Sequence, residues 1–91
     1  MQLEIVSPEA QLFSGEVLSL TVPGASGSFQ ILNNHAPIVS TLVEGRVKIQ
    51  GNINLDEANK SKFTQEGDTT YLYIQSGTIE LSDNKVILLT E

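Results

Sequence analysis

Apolar and polar residues alternate along most of this chain with a period of two. Leu3 and Ile5 alternate with Gln2 and Glu4, and Leu18, Leu20 and Val22 with Ser19 and Thr21. Val47 and Ile49 interleave with Arg46, Lys48 and Gln50; Leu72 and Ile74 with Tyr71, Tyr73 and Gln75; Ile79 and Leu81 with Thr78, Glu80 and Ser82. A period of two sends successive side chains to opposite faces of a strand, so each segment offers one apolar face to a core. Turn formers separate the segments: Ser7-Pro8, Ser14-Gly15, Pro23-Gly24, Asn33-Asn34, Glu44-Gly45, Glu66-Gly67-Asp68, Ser76-Gly77 and Asp83-Asn84. Asp83-Asn84 predicts a two-residue hairpin, because both residues tolerate positive φ. Many short strands with regular turns predict an all-β sandwich or barrel.

Two segments depart from the alternation. Val86, Ile87, Leu88 and Leu89 are apolar on both faces, which predicts a central or doubly covered strand. Residues 51–68 are polar, with isolated Ile53, Leu55 and Phe63, and read as a long, partly mobile excursion between two strands. Within it, Asp56 can cap a turn of helix reaching Ser61. Leu12-Phe13 reads as core or its rim.

Ninety-one residues make one domain, 1–91, with a modest core. The absence of cysteine excludes disulfides, thiolate chemistry and zinc ribbons. The first ten residues lack the basic start and apolar run of a signal peptide, and no segment approaches the ~20 apolar residues of a membrane span. These features predict a soluble, cytosolic chain. The net charge is −6, and residues 1–45 hold Glu4, Glu9, Glu16 and Glu44 but no cation. Such a half cannot displace counterions from a phosphate backbone, which disfavours nucleic acid and anionic lipid and leaves a basic protein partner compatible. The Asn59-Lys60-Ser61 triplet is read as a chance glycosylation match.

Little of the sequence resembles chemistry. His35 is the one histidine, and no nucleophile motif or carboxylate stands beside it. The stretch Gly24-Ala25-Ser26-Gly27-Ser28 has no lysine and no following helix, so it predicts a tight turn needing positive φ at a glycine, and not a phosphate loop. One histidine and scattered carboxylates cannot close a zinc site, and Asn52, Asn54, Asp56, Glu57 and Asn59 miss the spacing of a calcium loop. Tyr71 and Tyr73 share a strand face, where they either cover a sheet or form an interface patch. A free-standing β-sandwich binding a small ligand or glycan through these tyrosines and the asparagine-rich loop is the competing functional reading.

Four ordered segments carry a more specific signal: LEIVSPEAQLFSGEV at 3–17, SLTVPGASGSFQILNNHAPIVSTL at 19–42, GRVKIQG at 45–51 and YLYIQSGTIELSDNKVILLTE at 71–91. In combination they resemble the epsilon subunit of the F-type proton-translocating ATP synthase, in its N-terminal β-sandwich domain. That resemblance implies a flattened β-sandwich of about 8–10 short strands. It implies a non-catalytic rotor subunit at the foot of the central stalk that binds gamma and rests on the c ring, coupling proton flow to ATP synthesis. It implies no cofactor, and a peripheral place on the cytoplasmic side of the bacterial inner membrane with no lipid insertion. Residue by residue, it implies that Ser7, His35 and Ser40 lie towards gamma, and that Ser26, Gly27, Ser28 and Phe29 face the c ring. Gln30 stands where many members have glycine, Asn33-Asn34 where many have Pro-Asn or Pro-Gly, and Gln75-Ser76-Gly77 where Ser-Gly-Gly is common. The resemblance further implies a short form, without the family's C-terminal helices that extend along gamma, restrain ATP hydrolysis and in some members bind ATP.

Overall fold

A computed structural model describes all 91 residues, Met1–Glu91. The strands are β1 (Gln2–Val6), β2 (Gln11–Glu16), β3 (Ser19–Gly24), β4 (Gly27–Leu32), β5 (Ile38–Leu42), β6 (Gly45–Gln50), β7 (Phe63–Glu66), β8 (Thr69–Ile74), β9 (Gly77–Ser82) and β10 (Lys85–Thr90). A 3₁₀ turn, Lys60–Lys62, precedes β7. The strands hydrogen-bond along one path, β2-β1-β10-β9-β5-β3-β6-β8-β7, with β4 on the other edge of β3. The path folds at the β5–β3 step. There the pairing narrows to Leu42 opposite Gly24, held by Val43 N–H donating to the Pro23 carbonyl at 2.9 Å and Ala25 N–H to the Thr41 carbonyl at 3.0 Å. On one side lie β2, β1, β10, β9 and β5, called here the first sheet; on the other lie β4, β3, β6, β8 and β7, the second sheet.

The inner faces of the two sheets supply one apolar cluster of twenty buried residues, among them Leu3, Ile5, Leu20, Val22, Ile31, Leu42, Val47, Ile49, Ile79, Leu81, Val86 and Leu88. Each fully buried aliphatic side chain is worth about 1.5–3 kcal/mol against exposure, which is how a domain this small stays folded. The alternation therefore maps directly onto burial in β1, β6, β8 and β9. Leu12 and Phe13 are both buried in β2 although adjacent. A register shift between Ile5 and Val6 explains this, since a bulge lets two consecutive residues face one side.

Two expectations need amendment, and a third is narrowed to one of its alternatives. Leu18 does not continue the inward set of Leu20 and Val22: it precedes the strand and is 73% exposed, while Val17 and Ser19 are buried. Its backbone N–H is committed to the Gln50 carbonyl at 2.8 Å, which fixes the turn and swings the side chain out. Residues 51–68 hold a strand, β7, that the polarity hid. The segment is tied down by buried Ile53, Phe63 and Asn59, with Asn59 Nδ2 donating to the Gln11 carbonyl at 3.2 Å. Asp56 does organise the turn there, accepting from Ala58 N–H at 3.2 Å, but a 3₁₀ turn follows in place of an α-helical one. Finally, β10 is central, between β1 and β9. Its inward residues Val86 and Leu88 are fully buried, yet Leu89 is 49% exposed. The strand is covered on one face, and nothing in this chain covers the other.

The Asp83-Asn84 hairpin forms with φ of 50° and 60° at its two residues, as their side chains allow. Gly77 is required by contact and not by φ, because a Cβ there would run into the Leu89 carbonyl.

Candidate functional site

The β3–β4 hairpin ends in Ala25-Ser26, with Gly24 opposite Gly27. Gly27 adopts φ 125°, a value that disfavours any side chain. A Cβ on Gly24 would lie 2.7 Å from the Phe29 ring and 2.8 Å from the Gly27 carbonyl. The Phe29 ring therefore lies on Gly24, half-buried against the core, and stiffens the tip. Ser26, Gly27 and Ser28 are exposed around it. The four residues implied for the c ring thus form one contiguous uncharged tip, three of them exposed and the fourth bracing them.

Ser7, His35 and Ser40 are not brought together. Ser7 closes a turn after β1: its Oγ donates to the Ala10 carbonyl at 3.1 Å and accepts from Ala10 N–H at 3.3 Å. His35 lies beyond the opposite end of the first sheet, exposed, with Nδ1 donating to the Ala36 carbonyl at 2.7 Å. A clamp that the sequence reading missed holds its loop. Asn84 Oδ1 accepts from Asn34 N–H at 2.8 Å, and Asn84 Nδ2 donates to Asn33 Oδ1 at 2.8 Å. Ser40 is half-buried on β5, on the side of Leu42, whereas Val39 and Thr41 point outward.

Between the Ser7 and His35 ends lies the outer face of the first sheet. Its strand register sets Ser14, Glu4, Ile87, Glu80 and Val39 in one row across five strands. Val6, Leu89, Thr78 and Thr41 form the next row. Val39 is 78% exposed, and with Ile87 and Leu89 it lines a shallow cleft of about 240 Å³. Lys85, beside Gln2 and Ser82, is the cation of this face. The available signal was the two-faced apolar run of β10, whose second face needed a cover.

The outer face of the second sheet is built differently. Arg46 and Lys48 on β6 stand opposite Tyr73 and Tyr71 on β8. The Arg46 guanidinium lies 4.4 Å from the centre of the Tyr71 ring, a cation–π contact. The Tyr73 hydroxyl donates to Glu44, and this bond, more than burial or the nearby charge, raises the phenol above its usual range. Thr69 Oγ1 donates to Gln50 Oε1 at 2.8 Å in the next row. Both tyrosines are thus engaged within the face and do not frame an open aromatic cleft. No group of three or more histidine, aspartate or glutamate side chains converges anywhere. A cleft of about 590 Å³ opens beside Met1, Glu16, Leu18 and Asn33. Its one ionic feature is the N-terminal ammonium, bonded to Glu16 at 2.9 Å.

This geometry can dock partners but offers no nucleophile–base pair. The model of the family described as ATP synthase, Delta/Epsilon chain, beta-sandwich domain matches residues 1–91. The chain is 40% identical over 90 residues to the ATP synthase epsilon chain of Chlorobium limicola, covering 99% of this chain and 88% of that one. It is 37% identical over 91 residues to the ATP synthase epsilon chain of Leptospira interrogans, of which it spans 61%. Among solved structures, it is similar to a chain of the Tetrahymena thermophila mitochondrial ATP synthase central stalk and c ring. The TM-score is 0.75 at 14% identity, covering 98% of this chain and 61% of that one. A chain of the Euglena gracilis mitochondrial ATP synthase gives 0.72 at 19% identity, covering 97% and 48%. The structural likeness establishes the fold. The family match along the whole length, with relatives above one-third identity, establishes descent: the chain belongs to the epsilon-chain family of ATP synthase, through its β-sandwich domain.

Proposed function

We propose that this chain is a non-catalytic element of the ATP synthase rotor, which binds the gamma subunit through the outer face of its first sheet and meets the c ring through its β3–β4 hairpin. The observation that carries the reading is the uncovered second face of β10. Exposed Leu89 on a central strand, beside half-buried Ile87 and exposed Val39, marks a protein contact on a small acidic domain. Val39, Ile87 and Leu89 form the apolar centre, and Ser7 and His35 stand at its two ends. The charge-free tip at Ser26, Gly27 and Ser28, braced by Phe29, suits a second contact that must be desolvated on assembly. On this reading the domain transmits torque between c ring and gamma, performs no chemistry of its own, needs no cofactor, and sits at the cytoplasmic side of the bacterial plasma membrane without entering it. The acidic balance of the chain agrees with avoidance of anionic lipid.

Co-expression with the cognate gamma subunit tests this. The two should co-elute at mild salt, and a photo-crosslinker at position 39 should capture gamma while one at position 48 does not. A crosslinker at Ser26 should capture c subunit in the assembled enzyme. Capture of gamma from position 48 but not from 39 would reverse the assignment of faces. Failure to co-elute would remove the rotor reading altogether.

A further inference from the structure

Glu4 and Glu80 occupy the same row of the first sheet, on β1 and β9, with Ile87 of β10 between them. Val39 of β5 follows directly beside Glu80. Adjacent strands lie ~4.8 Å apart, so the two glutamates are spaced about 10 Å across the sheet. Neither forms an ion pair; the single ion pair of the chain joins Met1 to Glu16. Lys85, the nearby cation, sits one row away beside Gln2 and Ser82 and bridges to neither carboxylate. Glu16 and Asp83 stand at the margin of the face, at the same end as Lys85. A partner that covers Ile87 and Val39 cannot avoid covering these two carboxylates. Burying a carboxylate without a cation is strongly unfavourable, and a carboxylate met by one is a source of specificity and of fast association.

From this spacing we infer that the partner of this face presents two basic side chains about 10 Å apart, with an apolar side chain between them that packs on Ile87. A helix lying across the strands supplies this pattern at i, i+4 and i+7, since seven residues rise ~10.5 Å. Arginine suits both ends, because its fork engages a carboxylate with two parallel hydrogen bonds. The inference rests on the gamma-binding reading above and adds the chemistry of the mate. It also explains why an interface built around apolar residues retains two glutamates. They select one orientation, since a shift of the partner by one strand would set its cations over Ile87 and Val39.

The test is a binding titration of the intact chain against the cognate gamma subunit at low and high salt. The variants are Glu4→Gln, Glu80→Gln, the double variant and Leu89→Asp. All three substituted positions lie on the outer face, and circular dichroism checks that each variant folds. For the native chain, affinity should fall as salt rises. Each glutamine should weaken low-salt binding about 10-fold and the pair about 100-fold, with native and double variant converging at high salt. Unchanged or tighter binding by the double variant at low salt would overturn the inference. If Leu89→Asp still abolishes binding in that case, the face itself remains the docking site. If Leu89→Asp binds normally, the face reading fails, and the inference falls with it.

Discussion

The two outer faces of this sandwich arise from the same alternation and come out opposite in character. On the second sheet most outward residues of β6 and β8 answer one another, although Leu32 of the edge strand β4 stays exposed: Arg46 covers Tyr71, Tyr73 engages Glu44, and Thr69 reaches Gln50. On the first sheet the outward residues answer little beyond one long hydrogen bond, Gln2 Nε2 donating to Ser14 Oγ at 3.4 Å. Val39 and Leu89 are exposed, and Glu4 and Glu80 form no ion pair. A face whose polar groups are satisfied in place is finished in the isolated domain, and a face that leaves both apolar area and unpaired charge is completed by something else. On the proposed docking of gamma to the first sheet, the difference means that an assembly surface is recognised less by apolarity than by the lack of local partners.

The largest effect should separate the faces in binding. Val39→Asp should weaken gamma binding about 100-fold, as loss of a central contact does. Lys48→Asp, the matched change on the second sheet, should leave affinity within about 2-fold. Both should remain folded, with stability altered by less than about 1 kcal/mol. Equal losses from the two would erase the contrast. A smaller effect should appear in the stability of the isolated chain, with the order reversed. Removing the cation–π contact by Arg46→Ala should cost about 0.5–1 kcal/mol in urea unfolding. Leu89→Thr should cost less than about 0.5 kcal/mol, because the side chain is half in water already. A costlier Leu89→Thr would mean that the first sheet's face is self-supporting after all.

The smallest effect is spectroscopic. Tyr73 should ionise above the usual tyrosine range in the folded chain, and Glu44→Gln should bring it down. A phenol whose folded-state value is raised contributes stability below its unfolded value and loses it as pH rises through the folded one. This link therefore holds at neutral pH and is lost in alkali. An ultraviolet titration reads it directly, and an identical titration in Glu44→Gln would show that the bond does not persist in solution.

Most of the fold was legible because burial in a two-sheet sandwich follows the period-two rule. Val47, Ile49, Leu72, Ile74, Ile79 and Leu81 were placed inward by alternation alone, and all are buried. The failures occurred where backbone hydrogen bonds override the pattern. Leu18 belongs to a turn fixed by its N–H on the Gln50 carbonyl, so its apolar character does not decide its place. The strand Phe63–Glu66 is an edge strand with one buried residue, and its polar outward positions look like loop. For the candidate site, the glycine hairpin was readable from Gly24 and Gly27, whose roles are steric and local. The Asn84 clamp was not, since it joins residues fifty positions apart. The apolar face was half visible. The run Val86–Leu89 announced two apolar sides, but only the register of β5, β9 and β10 sets Val39 beside Glu80 and Glu80 beside Ile87.

The parallel pairing of β1 with β10 has a consequence for how the chain is made. The strands of the second sheet all lie between Ser19 and Ile74, so that half can assemble from contacts close in sequence. The first sheet cannot. Its middle strand comes last of the ten in chain order, and until Lys85–Thr90 emerges, Leu3 and Ile5 have no neighbour on that side. Closing a loop of this length is slow, and the waiting strand is exposed to mispairing in the meantime. The sheet proposed to meet the partner is therefore the one that closes last among the ten strands, which ties competence for assembly to the docking of β10.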